Sequence, residues 1–440
     1  MHVFYKTFGC KANQYDTERM RQEGEARGAE TTGDRSAADV IVVNTCTVTN
    51  QADADARRFI RRVHRESPEA GIVVAGCSAV LKAGDYRAMS GVTRVVEGHD
   101  PVSVATAASP RRLVQIELRA SLDRIDTEPI GGELLRTRAG AARGWLKVQD
   151  GCDRKCAFCA TRLARGASRS RAPKEVVAEA KLLSEAHAEL VITGIHIGQY
   201  GQDLEPEWTL SSLVALLLER VPDTRFRLGS IEATEVDDLL LELMATSGGR
   251  LAPHLHMPLQ SGADPVLKLM RRWHTREQYR VRALQIADRI APLGLGADVI
   301  TGFPGETAAD QAQTRALVEE LPFTYLHVFP FSPRDGTIAA DLPNVVPQRV
   351  AGERSRELRE LAQSKGRRHQ AGRVGQRAAV VLEGAGGTGL TGDYLRVRVE
   401  GGEALTPQDQ AGPALRYSLL LGDAEHLYIA LPQPLGLIQA

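Results

Sequence analysis

The chain has 440 residues, room for two to four domains of ~100–200 residues each. Hydrophobic residues make up 43% and charged residues 25%, as in ordinary globular proteins, and 55 Lys+Arg balance 55 Asp+Glu. Zero net charge excludes a globally basic nucleic-acid binder, no apolar run reaches the ~18 residues of a membrane span, and the opening MHVFYKTFGC breaks a signal core with lysine and cysteine, so a cytoplasmic location is expected.

In chain order, HVFYKTFG reads as a strand and NQYDTERMRQEGEARG as a helix closed by Gly28. DVIVVNTC is a second strand, QADADARRFIRRVHRE a second helix stopped before Pro68, and GIVVAGC a third strand. Apolar runs separated by helices predict a parallel sheet buried on both faces, here an N-terminal α/β domain over 1–120. Residues about 105–143 read as a connector with weak periodicity.

The alternation resumes at about 145 with strands in WLKVQDGC, ELVITGIHIG, RFRLGSIEA, HLHMPLQSG, LGADVITGFPG and FTYLHVFPFS. Helices at about 173–187, 209–220, 235–246, 264–292 and 307–320 separate them. Six β/α units fall short of the eight that close a barrel, so 138–368 is expected to be a partial (β/α)6 barrel with its chemistry at the strand ends. The basic segment 349–377 carries Arg349, Arg354, Arg356, Arg359, Lys365, Arg367, Arg368, Arg373 and Arg377; taken alone it is a solvated helix face. RAAVVLEG, GLTGDYLRVRVEG, PALRYSLLLG and HLYIALP then predict a small C-terminal β-barrel over 369–434. Arg396 and Arg398, two apart on a strand, share a face and extend the basic segment into a local positive surface suited to RNA phosphates.

DGCDRKCAFCA places Cys152, Cys156 and Cys159 in one loop after the first barrel strand. A structural zinc site needs four ligands, commonly two close pairs; here no pair follows, and His187 and His196 are far along the chain. Four-iron clusters have four corners, so three thiolates leave one iron open for a substrate. The C-x3-C-x2-C spacing with Phe158 before the last cysteine is that of radical S-adenosylmethionine (SAM) enzymes. Cys10, Cys46 and Cys77 stand at the carboxyl ends of the three N-terminal strands, the edge where open α/β sheets bind ligands, and predict a second cluster with an open iron. No acid, base or nucleophile is expected to be catalytic, because the hard chemistry belongs to the cofactors. Thr193 and Gly194 are expected to approach the SAM methionine, Ser230 and Glu232 its ribose, and the VITGFPG turn its adenine. Lys11 and Asn13 flank the first cysteine, where they shape a sulfur-donor pocket or, for Asn13, start the helix.

TFGCKANQYD, NTCTV, VAGC, VQDGCDRKCAFC, TGIHIGQYG, HMPLQSGADPVLKLMRR, TGFPGET and HVFPFSPRDGT together resemble the methylthiotransferase family of radical SAM enzymes over nearly the whole chain. The resemblance implies an N-terminal cluster domain, a partial-barrel radical SAM domain and a C-terminal RNA-binding TRAM barrel. It implies two 4Fe-4S clusters and two SAM molecules, one a methyl donor and one a radical source. The net reaction turns a C–H bond into C–S–CH3, with an electron donor and a sulfur source whose identities stay open. GCKANQYD, with Lys11, Asn13 and Gln14, is similar to the group acting on carbon 2 of N6-threonylcarbamoyladenosine next to the tRNA anticodon. The alternatives are N6-isopentenyladenosine in tRNA, an aspartate of a ribosomal protein and, outside enzymes, a non-catalytic iron–sulfur protein that docks on RNA. Where the family continues CIIPYARG, this chain has CATRLARG, with Thr161 and Arg162 replacing an apolar residue and a proline. Arg162, Arg165, Arg169 and Arg171 then either hold phosphates or form a surface loop.

Overall fold

The computed structural model describes residues 1–109, 134–137, 141–383, 387–400, 416–423 and 425–430. Most of the expected connector and the expected boundaries at 120, 138 and 434 lie outside these residues. The N-terminal domain is a five-strand sheet in the order Glu30–Thr31, His2–Thr7, Val40–Thr45, Gly71–Gly76, Val92–Val95, with every pairing parallel. The three strands expected from sequence are its centre. Ile41, Val43, Ile72 and Val74 pack under one face with Ile60 and Val63, while Val42, Val73 and Val3 pack under the other with Met20 and Val104. Burial on both faces is why those segments are continuously apolar. The two added edge strands are short and half exposed, so they carry no such run.

All six expected barrel strands are present: Arg143–Lys147, Glu189–Thr193, Arg225–Leu228, His254–His256, Gly294–Thr301 and Tyr325–Pro330. They form two parallel three-strand sheets, joined by isolated bridges from Phe226 to Leu251 and from Ser230 to His256. Helices Pro173–Ser184, Leu210–Arg220, Asp238–Thr246 and Ala308–Glu320 match the predicted ones. The helix expected over 264–292 is two helices, Asp264–Leu269 and Arg276–Arg289. Arg271 takes a left-handed φ of 55°, and Thr275 opens the second helix in a capping box with Gln278. The break returns Arg272 to Cys156 of the cysteine loop.

The basic segment is the helix Gln348–Arg373. Four of its cations bond the fold: Arg354 pairs with Glu306, Arg359 donates to the Val328 carbonyl at 2.6 Å, Lys365 donates to the Glu319 carbonyl at 2.8 Å, and Arg373 pairs with Asp393 at 2.9 Å. Arg349, Arg356, Arg359, Arg367, Arg368 and Arg377 stay exposed. The last domain is a nearly closed six-strand barrel. Buried Arg225 and Arg227 fasten it to the central domain by sharing Glu189 and donating to the carbonyls of Ala379, Leu390, Thr391 and Gly392 at 2.8–3.2 Å.

Candidate active site between two cysteine triplets

Each N-terminal cysteine follows a central strand of the parallel sheet, so adjacent strands bring residues far apart in sequence to one edge. Gly9 precedes Cys10 with φ of +100°, and a Cβ there would stand 2.3 Å from Cys46 Sγ. Gly76 precedes Cys77 with φ of +95°, and its Cβ would meet Asn44 Oδ1 at 2.2 Å. Only glycine takes both the turn and the crowding. Asn13 ties the edge together, donating to the Phe8 and Thr45 carbonyls at 2.9 and 2.7 Å; it neither caps the helix Lys11–Ala26 nor faces solvent.

The second triplet lies across the domain boundary. Cys152 Sγ is 3.5 Å from His196 Nδ1, and His196 Nε2 is 2.9 Å from Glu235. Chain distance was therefore a poor reason to set His196 aside: the turn after Glu189–Thr193 brings it to the cysteine. Arg272 donates to Cys156 Sγ at 3.6 Å and pairs with Glu232, which lies 3.9 Å from His274. Phe158 packs edge-on against Phe303, with ring centres 6.5 Å apart, so it pins the cysteine loop to the TGFPG turn.

All six cysteines are free thiols. Among the described residues, neither triplet gathers its sulfurs within 4.8 Å of one another. This is not the close ligand set that one zinc ion needs, and three thiolates without a fourth suit a cluster with one open iron. N–H donors point at the sulfurs: Val48 N at 3.3 Å from Cys46, Arg165 Nε at 3.3 Å from Cys77, and Arg272 at Cys156. Burial pushes the Cys77 thiol up to about 12 and Cys156 up to about 11, while the Arg165 and Arg272 guanidiniums beside them favour the thiolate. The donor set therefore fits an iron–sulfur cluster at each triplet.

Arg165 joins the two triplets. It is buried and was misread from sequence as a phosphate or surface residue. Its Nε donates to Cys77, Nη1 to both Asp150 oxygens at 3.0 Å, and Nη2 to Asn13 and Asp16 at 2.7 Å each. Lys147 donates to the same two carboxylates at 2.7 and 2.6 Å, so two buried cations face two buried anions. Burial works against these carboxylates, but Lys147 and Arg165 outweigh it and hold both below the usual range. Arg171 is likewise buried, paired with Glu179, which also accepts from Tyr15 of the N-terminal domain at 3.1 Å. Arg162 is exposed, and Arg169 is half-buried. Arg334 donates to the Asn50 side chain at 3.0 Å and interacts electrostatically with both Cys46 and Cys159. The signal for Arg165 was the ARG that this chain shares with CIIPYARG across an otherwise altered loop.

Of the expected SAM contacts, Thr193 is buried, with its carbonyl accepting from Val148 N at 2.9 Å. A Cβ on Gly194 would meet the Gln149 carbonyl at 2.8 Å, so close packing on the chain already requires that glycine. Ser230 is exposed at the bridge to His256, and Glu232 is buried beside Arg272.

A partial parallel barrel with a three-cysteine loop after its first strand defines the class: a radical SAM enzyme. Residues 146–318 match the Radical SAM superfamily, and residues 2–98 match a family described as Uncharacterized protein family UPF0004. The chain is 37% identical to threonylcarbamoyladenosine tRNA methylthiotransferase of Bacillus subtilis, covering 82% of this chain and 80% of that one. The enzyme of that name from Aquifex aeolicus is 34% identical over 91% and 97%. A tRNA-2-methylthio-N(6)-dimethylallyladenosine synthase from Bacillus pumilus is 31% identical over 87% and 76%. Among solved structures, the radical SAM methyltransferase TsrM from Kitasatospora setae shares the fold, with a TM-score of 0.58 and 15% identity over 82% of this chain and 84% of that one. The chain belongs to the methylthiotransferase family of radical SAM enzymes.

Proposed function

We propose that the protein converts the C–H bond at carbon 2 of N6-threonylcarbamoyladenosine, beside the tRNA anticodon, into C–S–CH3. The observation that carries this reading is the apposition of the two cysteine triplets through Arg165, which reaches Cys77 from the loop that follows Cys159. Relatives named for the threonylcarbamoyl substrate, at 33–37% identity, support this substrate over the dimethylallyl one of relatives at 30–31%.

Cys152, Cys156 and Cys159 hold one 4Fe-4S cluster, and Cys10, Cys46 and Cys77 hold a second. Bound there, SAM and the clusters supply a carbon-centred radical, a methyl group and the sulfur. The chain's own work is placement. Phe158 anchors the loop of Cys152, Cys156 and Cys159, and Arg165, Lys147, Asp16 and Asp150 lock the domains at one separation. Thr193, Gly194, Ser230 and Glu232 line the strand ends where SAM binds. Exposed arginines of the long helix and the last barrel hold tRNA phosphates.

The test is competition between tRNAs bearing each modification, with mass spectrometry of the product nucleosides. Methylthiolation of the threonylcarbamoyl nucleoside in clear preference is expected. Equal or better use of isopentenyladenosine would overturn the substrate, though not the family.

A further inference from the structure

The inward face of the partial barrel is polar. Helices cover Leu146, Leu190 and Ile192 on the outer face, while Arg143, Trp145, Glu189, Arg227 and His254 point inward. Into this lining projects Lys11, from the residue after Cys10. Its ammonium lies 5.9 Å from the centre of the Trp145 ring and interacts electrostatically with Arg143, Arg227, Glu189 and Cys10. Four cations, Lys11, Arg143, Arg225 and Arg227, here meet two carboxylates, Glu189 and Glu383. Both carboxylates are taken: Glu189 by Arg225 and Arg227 at 2.6–2.9 Å, and Glu383 by Arg143 at 2.6 Å. The donors of Arg225 and Arg227 end on Glu189 and on backbone carbonyls. Among the described residues, Lys11 Nζ has neither a hydrogen-bond acceptor nor a carboxylate partner. Lys11 is half-buried and its ammonium is not sealed from solvent, so an anion entering this lining meets a cation whose neighbouring carboxylates are already paired.

We propose that Lys11 is a specificity-determining residue that pairs with the carboxylate of the threonylcarbamoyl group. This rests on the substrate reading above. An isopentenyl group brings no anion and would leave the ammonium unpaired, which is how a polar site rejects an apolar analogue. The cation sits one residue from a ligand of the proposed second cluster, so the same helix start that places Cys10 registers the substituent.

The test is equilibrium binding by fluorescence anisotropy, using the reconstituted protein and anticodon stem–loop RNAs. One RNA bears threonylcarbamoyladenosine, one its carboxamide, and one isopentenyladenosine. Wild type should bind the carboxylate RNA about 30-fold more tightly than the carboxamide, as expected for a close charge pair in a partly buried site. Lys11→Gln should bring that ratio close to one without changing affinity for the carboxamide RNA, and Lys11→Arg should restore part of it. If Lys11→Gln keeps the wild-type ratio, or weakens both RNAs equally, the assignment of Lys11 fails. If wild type binds the isopentenyl RNA at least as tightly as the carboxylate RNA, the substrate reading itself fails.

Discussion

Arg165 makes five hydrogen-bond contacts to five acceptor atoms, with Nη1 shared between the two Asp150 oxygens, and those acceptors come from both sides of the domain boundary. Lysine carries the same charge but cannot reproduce the planar fork. Arg165→Ala leaves Asp16 and Asp150 facing Lys147 alone, so a loss of about 3–5 kcal/mol is expected in denaturant unfolding. Arg165→Lys should lower the reduction potential of the N-terminal cluster, because N–H bonds to cluster sulfurs raise it. That is measurable by redox titration followed by paramagnetic resonance, in a protein whose Cys152, Cys156 and Cys159 are alanine. An unchanged potential would remove Arg165 from the cluster's environment. The cysteines were legible because their spacing and strand-end positions are local. The role of Arg165 was not, since Cys77 lies 88 residues away and the ARG shared with CIIPYARG does not by itself say that the arginine is buried. His196 escaped for the same reason.

At the scale of elements, the helix Lys11–Ala26 carries the joint between domains. Lys11, Asn13, Tyr15 and Asp16 all lie in its first two turns and each serves the boundary. Its wheel therefore shows polar residues where a plain amphipathic helix would show core. Asn13→Asp would turn an oxygen toward the Phe8 and Thr45 carbonyls that now accept from its amide. It should lower the iron held at the N-terminal triplet while leaving that at Cys152, Cys156 and Cys159. Gly9→Ala should do the same by displacing Cys46. Iron assays on each variant, with and without the second triplet, decide this; full iron content in both would refute the edge geometry. The strands were legible because buried parallel strands are continuous apolar runs. The split of 264–292 was missed although TREQ is a capping-box signature, because the apolar spacing carries on across the break.

For the whole molecule, zero net charge hides an uneven distribution. Exposed Arg349, Arg356, Arg359, Arg367, Arg368 and Arg377 run along the long helix and its end, and Arg396 and Arg398 stand exposed on the last barrel. The logarithm of tRNA affinity should therefore fall linearly with the logarithm of salt. Replacing Arg367, Arg368, Arg396 and Arg398 with glutamine should flatten that slope by about 0.7–0.9 per lost phosphate contact. An unchanged slope would place the RNA surface elsewhere. The order of domains was legible from the changes in periodicity along the chain. Their docking was not, because it rests on Glu189, Arg225, Arg227 and Asp393, buried ions that composition would put on the surface. The central claim is that two cysteine triplets cooperate to add a methylthio group to threonylcarbamoyladenosine. Its most direct test is anaerobic incubation of the reconstituted protein with that tRNA, SAM, a reductant and sulfide, followed by mass spectrometry of the nucleosides. Wild type is expected to form the 2-methylthio nucleoside. The variant with Cys10, Cys46 and Cys77 changed to alanine is expected to form none, although it still forms 5′-deoxyadenosine from SAM. Methylthiolated product from that variant, or none from a wild type holding both clusters, would contradict it.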